Sequence, residues 1–302
     1  MKKLMFEEIE KNKQKSLLLI IFFILIIAGI GAIFSFIYDS YTILMIVIFI
    51  SVFYAIIAYN SGDSMILSML GAKEANRANH ASFINSIEGL AIAAGIPAPK
   101  AYIIQDTALN AFATGKEPKT ASITATTGLL NKLNREELEG VIAHEMSHIK
   151  NYDIRFMMLA VVLAGVITLL SDFLLRSFLW GGERKSSNSK NNAGGFAVII
   201  IFAGLILAIL SPIIGKIIQM AISRQREYLA DANSVALTRN PNGIISALKK
   251  ISLDPDPLVD SANHATAHLF ISNPFKKKHD IVSNLFSTHP PILDRIKRLK
   301  QM

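Results

Sequence analysis

Two long uncharged runs open the chain. Residues 17 to 38 hold no charged side chain and are long enough to cross a bilayer core as one helix. Residues 41 to 59 form a second such run after the short polar turn at Asp39 and Ser40, so the pattern predicts a transmembrane helical hairpin within residues 1 to 60. A second pair follows later. Residues 156 to 171 are apolar but short, and extending them to 180 takes in Asp172 and Arg176, four apart on a helix and placed to pair. Residues 196 to 214 form a cleaner run with Pro212 near its end. The stretch 181 to 195, rich in Gly, Ser, Asn and charge, reads as an exposed loop. Residues 156 to 215 are therefore expected to form a second membrane hairpin, giving about four spans; the alternative is a buried or interfacial hairpin.

The remaining residues, 61 to 155 and 216 to 302, are expected to make one discontinuous soluble domain. Residues 74 to 94 show helical periodicity that ends at Gly95 and Pro97. Residues 101 to 104 and 122 to 127 are rich in Ile, Tyr and Thr and read as strands, with a further short strand at 110 to 114. Asn134 with Glu137 three residues on forms a capping box, and Leu138, Val141 and Ile142 follow at helical spacing. The expected fold class is an α+β membrane protein, mostly helical, with a small antiparallel sheet.

Composition agrees with membrane insertion: 51% of the 302 residues are hydrophobic, and the mean hydropathy is +0.40. Lys2, Lys3, Lys11, Lys13 and Lys15 precede the first run while the Asp39 turn has no basic residue, so the N-terminus is expected in the cytoplasm. Four spans bring both soluble segments to that same side and leave Arg184, Lys185 and Lys190 outside, against the positive-inside tendency. The first run leads into another apolar run rather than a cleavage site, so it reads as an anchor and not a signal peptide. The net charge of +8 comes with no phosphate loop or nucleic-acid motif. Its clusters, at the N-terminus, at 276 to 278 and at 295 to 300, are expected to face anionic headgroups. There is no cysteine, which excludes disulfides, thiolate metal sites and a cysteine nucleophile.

The chemistry sits in His144-Glu145-Met146-Ser147-His148. Histidines four apart share one helical face, with Cβ atoms about 5 to 6 Å apart, so two imidazoles can hold one metal ion. Glu145, turned about 100° around the helix, can take a proton from an attacking water. A catalytic zinc site needs a third protein ligand. Glu227 is the best candidate, with Asp231 one turn further on to hold the outer N–H of a ligating histidine; a solvated charged face beside Arg224 and Arg226 is the alternative. His264 and His268 are also four apart but lack an intervening glutamate. His80 and His279 read as surface residues.

These residues resemble the M48 peptidases, and within them the HtpX group of bacterial membrane zinc metalloproteases. The likeness covers nearly the whole chain: the N-terminal apolar pair, Asn110-Ala111-Phe112-Ala113, Gly128-Leu129-Leu130, the metal motif, the Glu227 to Asp231 segment and Ser287-Thr288-His289-Pro290. The resemblance implies one zinc ion per subunit on His144, His148 and Glu227, with Glu145 as catalytic base. It implies a substrate-contacting strand at Asn110 and Ala111, where extended peptide adds to a sheet edge, although Asn110 read alone is equally a turn residue. It implies His289 as an oxyanion donor, the alternative being a residue that stabilises the helix at 292 to 299. Asp153 matches a recurrent position and reads as orienting the metal helix.

The activity implied is hydrolysis of peptide bonds in misfolded or damaged membrane proteins, as part of stress response and quality control in the cell inner membrane, with the site facing the cytoplasm. Two other readings remain open: a zinc-binding membrane sensor or scaffold without turnover, and a narrow-specificity signalling or processing protease.

Overall fold

A computed structural model of the chain describes residues 2–181, 224–254, 269–271 and 290–302. The first two apolar runs form α1 (Lys2–Ile37) and α2 (Tyr41–Met69), joined by a tight turn in which Asp39 takes a left-handed φ of +46°. Asp tolerates that conformation better than most residues. At 36 residues, α1 is about 54 Å long, against roughly 30 Å for a bilayer core, so its charged first turns extend beyond the apolar run. The 153 to 181 stretch is one continuous helix, α6 (Asp153–Gly181), rather than an interrupted run.

Three helices among the described residues are long and apolar enough to span a membrane: Ile9–Ile37, Tyr41–Met69 and Asp153–Leu170. The most apolar stretches of the first two are only 17% buried, whereas that of the third is 67% buried, so α6 is the inner helix. Leu17, Leu18, Leu25, Met45, Phe49 and Phe53 point outward, a contiguous apolar surface that lipid would cover. The candidate span at 196 to 214, and with it the expected count of four, lies outside the described residues.

The soluble part begins with β1 (Lys73–Glu74) and α3 (Arg77–Ala94). The helix expected from residue 74 starts later because the Asn76 side chain caps it, accepting from Ala78 N, while Lys73 and Glu74 pair with β2. It ends, as its pattern predicts, at Gly95 with φ +68°. Then come β2 (Lys100–Ile104), β3 (Ala111–Thr114), β4 (Ser122–Thr126), α4 (Thr127–Lys132) and α5 (Arg135–Lys150). After α6 come α7 (Arg224–Thr238), α8 (Pro241–Ser252) and α9 (Ile292–Leu299).

The sheet corrects the expectation of an antiparallel one. Its order is β1-β2-β4-β3, with β2 and β4 parallel and the other pairs antiparallel. The cause is the loop from 105 to 110, which crosses the end of β4 and carries the chain to the far edge. There Gly128 N donates to Asp106 O at 2.8 Å, and Thr126 Oγ1 donates to Ala108 O at 2.6 Å. A Cβ on Gly128 would lie 2.0 Å from Thr107 O, so only glycine admits this crossing. β3 then hairpins back, and β4 fills the central place, buried on both faces.

One core joins α3, the sheet, α5, α8 and α9, with α5 at its centre. A second joins α1, α2 and α6 to Phe112, Leu269 and Phe270.

Candidate metal centre

The α5 helix starts where its sequence says it should. Asn134 Oδ1 accepts from Glu137 N at 3.0 Å and Glu137 Oε2 accepts from Asn134 N at 2.8 Å, the reciprocal capping pair. Glu137 is also held by Ser246 and by Lys250 Nζ, each at 2.6 Å, which ties the helix start to α8. Gly140 and Gly243 let the two helices close further, since a Cβ on either would lie under 3 Å from backbone of the other. Held this way, α5 is buried from Gly140 to Ile149, including His144, Glu145 and His148.

His144 Nε2 and His148 Nε2 face each other 3.3 Å apart, and Glu227, from the first turn of α7, closes the group at 3.7 and 3.4 Å from them. The three residues each offer a ligand atom within 4.8 Å of the others and are all buried. Two ligands on one tetrahedral zinc, at about 2.05 Å each, stand about 3.3 Å apart, so the imidazole spacing already suits such an ion.

The outer nitrogens are anchored alike. His144 Nδ1 meets Asp231 at 3.0 Å and His148 Nδ1 meets Asp153 at 3.0 Å. Each Nδ1–H that donates outward leaves an Nε2 lone pair aimed at the shared cavity. Each carboxylate is in turn held by an arginine. Arg295 binds Asp231 through Nε at 2.9 Å and Nη2 at 2.6 Å, and Arg226 Nη1 reaches Asp153 Oδ1 at 2.9 Å. With neutral imidazoles, the carboxylates of Asp153, Glu227 and Asp231 already outnumber the two guanidiniums, so the group carries negative charge that a cation would balance. Donor chemistry, spacing and charge all fit a metal ion.

Burial, reinforced by Arg295, pulls His144 down to about 4 against the opposing pull of Asp231 and Glu227, so this ring is a neutral donor at neutral pH. Burial also acts to lower His148, but Asp153 and Glu227 on its two sides outweigh it and hold the ring well above its ordinary value; a cation on its Nε2 competes with that proton. Burial lifts the Glu145 carboxyl to about 7, with Glu227 adding to the rise and with His148, Arg295 and the backbone of Ala113 opposing it. Burial likewise acts to raise Asp231, yet Arg295 and His144 bring it down to about 2.

β3 is the sheet edge that faces this centre, and Ala113 supplies the backbone contact to Glu145. Asn110 lies just before the strand and is buried. Its carbonyl accepts from Thr126 N at 3.0 Å and its Oδ1 from Ala111 N at 3.2 Å. The Ala111 carbonyl accepts from Ile271 N at 3.1 Å, and Phe270 packs edge-on against Phe112 with ring centroids 5.2 Å apart. The segment at 269 to 271 thus lies along the edge expected to take substrate. His289, with His264, His268 and His279, lies outside the described residues.

Two residues of the site were not foreseen. Arg295 belongs to a cluster expected to face headgroups, yet it is fully buried because α9 turns it inward between Ile292, Ile296 and Leu299; its place on that apolar face is the signal that marks it. Asn12, on α1, is also fully buried, with its Nδ2 on Asp153 Oδ1 at 2.7 Å. Its sign in the sequence is a stripe of Asn12, Ser16, Leu19 and Phe23 down one helix face, all buried.

The family model of peptidase family M48 matches residues 77–302. A protease HtpX homolog of Caldanaerobacter subterraneus subsp. tengcongensis is 47% identical over 305 residues, covering 100% of this chain and 99% of that protein. One from Thermoanaerobacter pseudethanolicus is 47% identical over 303 residues, with coverage of 100% and 99%. One from Streptococcus uberis is 43% identical over 301 residues, with coverage of 99% and 100%. The match spans α3 through α9 and the relatives align along the full chain, membrane helices included: this chain belongs to peptidase family M48, as an HtpX-like membrane metalloprotease.

Proposed function

We propose that the chain is a zinc-dependent endopeptidase that hydrolyses peptide bonds of misfolded or damaged membrane proteins, with its site at the cytoplasmic face of the cell membrane. The observation that carries this reading is the convergence of Glu227 from α7 with His144 and His148 of α5, each imidazole backed by its own carboxylate, with His148 five residues before Asp153, the first residue of an apolar helix long enough to span a membrane.

His144, His148 and Glu227 hold the zinc ion, one per subunit. When bound, the ion supplies Lewis acidity, lowering the pKa of a coordinated water and polarising the scissile carbonyl. Glu145 is the general base. Its burial keeps the carboxyl near neutrality, where it can accept a proton from the attacking water and return it to the departing amine nitrogen. Asp231 and Asp153 fix the rings of His144 and His148 so that both Nε2 lone pairs stay aimed inward. No residue of the site forms a covalent acyl intermediate in this scheme.

An extended substrate pairs with the edge of β3 near Asn110 and Ala111, which reads backbone rather than side chains. That pairing requires it to displace the Ile271 N–H from the Ala111 carbonyl. His289 is the proposed oxyanion donor. In organisation, 1–60 is the first membrane hairpin, 61–155 the first half of the protease domain, 156–215 a second hairpin that brings the spans to four, and 216–302 the second half. The outward apolar faces of α1 and α2 and the basic turns ahead of residue 17 support insertion with the soluble halves in the cytoplasm.

The test is reconstitution of the full chain in detergent with an unfolded membrane protein as substrate. Cleavage that stops on chelation and resumes on adding zinc supports the reading. A zinc-loaded chain that cleaves neither membrane proteins nor unfolded polypeptides would instead be a sensor or scaffold.

A further inference from the structure

We propose that Asn12 is a positioning residue for the metal ligand His148, so that the first membrane helix helps to set the metal centre; this rests on the zinc site proposed above. Asn12 lies outside residues 77–302, the part that matches the family. Its amide uses both hydrogens of Nδ2, one to Asn151 O at 2.8 Å and one to Asp153 Oδ1 at 2.7 Å. Asp153 presents its other oxygen to His148 Nδ1 at 3.0 Å. A continuous chain of hydrogen bonds therefore runs from α1 through one carboxylate to the imidazole.

The place of these contacts matters more than their number. Asn151 caps the end of α5, and Asp153 opens α6. Between them Tyr152 takes a left-handed φ of +60°, a conformation costly for an aromatic residue, which must be held by its surroundings. Asn12 bridges the two sides of this turn and so restrains the separation of His148 from Asp153. The Tyr152 ring is gripped as well, with Lys13 Nζ 5.2 Å and the Arg155 guanidinium 5.0 Å from its centroid.

Arg226 bonds the same Asp153 oxygen as Asn12. Without Asn12 the carboxylate is drawn toward Arg226 alone and the turn loses its brace, so the Asp153 to His148 bond lengthens and the ring gains freedom. Residues that hold a metal-binding histidine typically change metal affinity by about 10- to 100-fold when replaced. Asn12 acts through Asp153, so the lower end applies. Only an amide donor suits the position: Asn12→Asp keeps the shape, removes both donors and sets a second carboxylate against Asp153. Asn12→Ala removes the donors but leaves room for a water that can replace part of them.

The experiment measures zinc dissociation constants of the full chain in detergent by competition with a chromophoric chelator, together with thermal unfolding of the zinc-free protein. The variants are Asn12→Asp, Asn12→Ala and Ser16→Ala, the last a buried neighbour on α1 whose Oγ donates to the Asn12 carbonyl at 2.8 Å. Asn12→Asp is expected to bind zinc about 10-fold more weakly and Asn12→Ala several-fold more weakly, with Ser16→Ala unchanged. Zinc affinity within two-fold of wild type in both Asn12 variants, whatever their stability, overturns the proposal; so does an equal loss in Ser16→Ala, which would mark general loosening of α1. If Asn12→Asp does not fold, Asn12→Ala against Ser16→Ala decides alone. A wild-type chain that binds zinc no better than His148→Ala would overturn the metal site itself, an outcome distinct from these.

Discussion

Replacing Arg295 by methionine should unfold the C-terminal docking of the protease domain more than any surface change. Arg295 is fully buried, makes two hydrogen bonds to Asp231 at 2.9 and 2.6 Å, and lies 3.7 Å from Glu227. It also seats α9 on α7, where Arg298 stacks over Tyr228 at 3.8 Å. Methionine fills much of the same volume, so the loss is chiefly electrostatic: the Asp231 carboxylate stays buried without its guanidinium. Breaking a buried pair from one side costs about 3 to 5 kcal/mol, a large part of the roughly 5 to 15 kcal/mol that stabilises a domain. For a domain of this size that is a drop of roughly 6 to 20 °C in Tm. Thermal unfolding of the detergent-solubilised chain, scanned at a fixed rate, reads it directly. Adding Asp231→Asn should recover part of the loss, because the uncompensated charge goes with it. A Tm within 2 °C of wild type for Arg295→Met, or a double variant that loses the full sum of the single losses, would mean that Arg295 does not balance the buried Asp231 carboxylate.

Gly128→Ala should lower stability by several kcal/mol and hinder expression, since its Cβ would meet Thr107 O at 2.0 Å; unchanged unfolding would mean that the crossing loop is placed differently. At Glu137, burial acts to raise the carboxyl, but Lys250, Ser246 and the Asn134 N–H outweigh it and hold it below its ordinary range. The stability it adds is therefore complete above about pH 4.3, the ordinary glutamate value, and is lost as pH falls through the lower folded value. Glu137→Gln should cost about 1 kcal/mol at neutral pH, because the bonds from Lys250 and Ser246 lose their charged acceptor, with the gap from wild type closing in acid; a gap that widens in acid contradicts this. Glu227→Ala should lower zinc content by metal analysis, and full occupancy would place the third ligand elsewhere.

What the chain revealed in advance depended on how local the signal was. The metal helix was legible because its cap, its stripe and its two histidines all fall within seventeen residues, from Asn134 to Lys150, and each obeys the same period. Glu227 and Asp231 were legible as a carboxylate pair one turn apart, though their partners lie far away in sequence. The strands could be placed by composition, but not their order, because the parallel pairing of β2 with β4 depends on how a six-residue loop crosses a glycine. Asn12 and Arg295 were the hardest to read. Their partners are 141 and 64 residues distant, and each sits in a segment whose lysines and arginines otherwise look like a basic rim. Both stand on the apolar face of a helix, where a polar side chain signals a buried partner rather than water.

In the proposed site Glu145 moves the proton while the histidines and Glu227 hold the metal. Glu145→Gln keeps the shape of the site and removes the base, so zinc content and peptide cleavage measured on the same purified sample separate the two roles. Full zinc occupancy is expected, with cleavage reduced by about 100- to 10,000-fold. Cleavage at the wild-type rate in the zinc-loaded variant would contradict this.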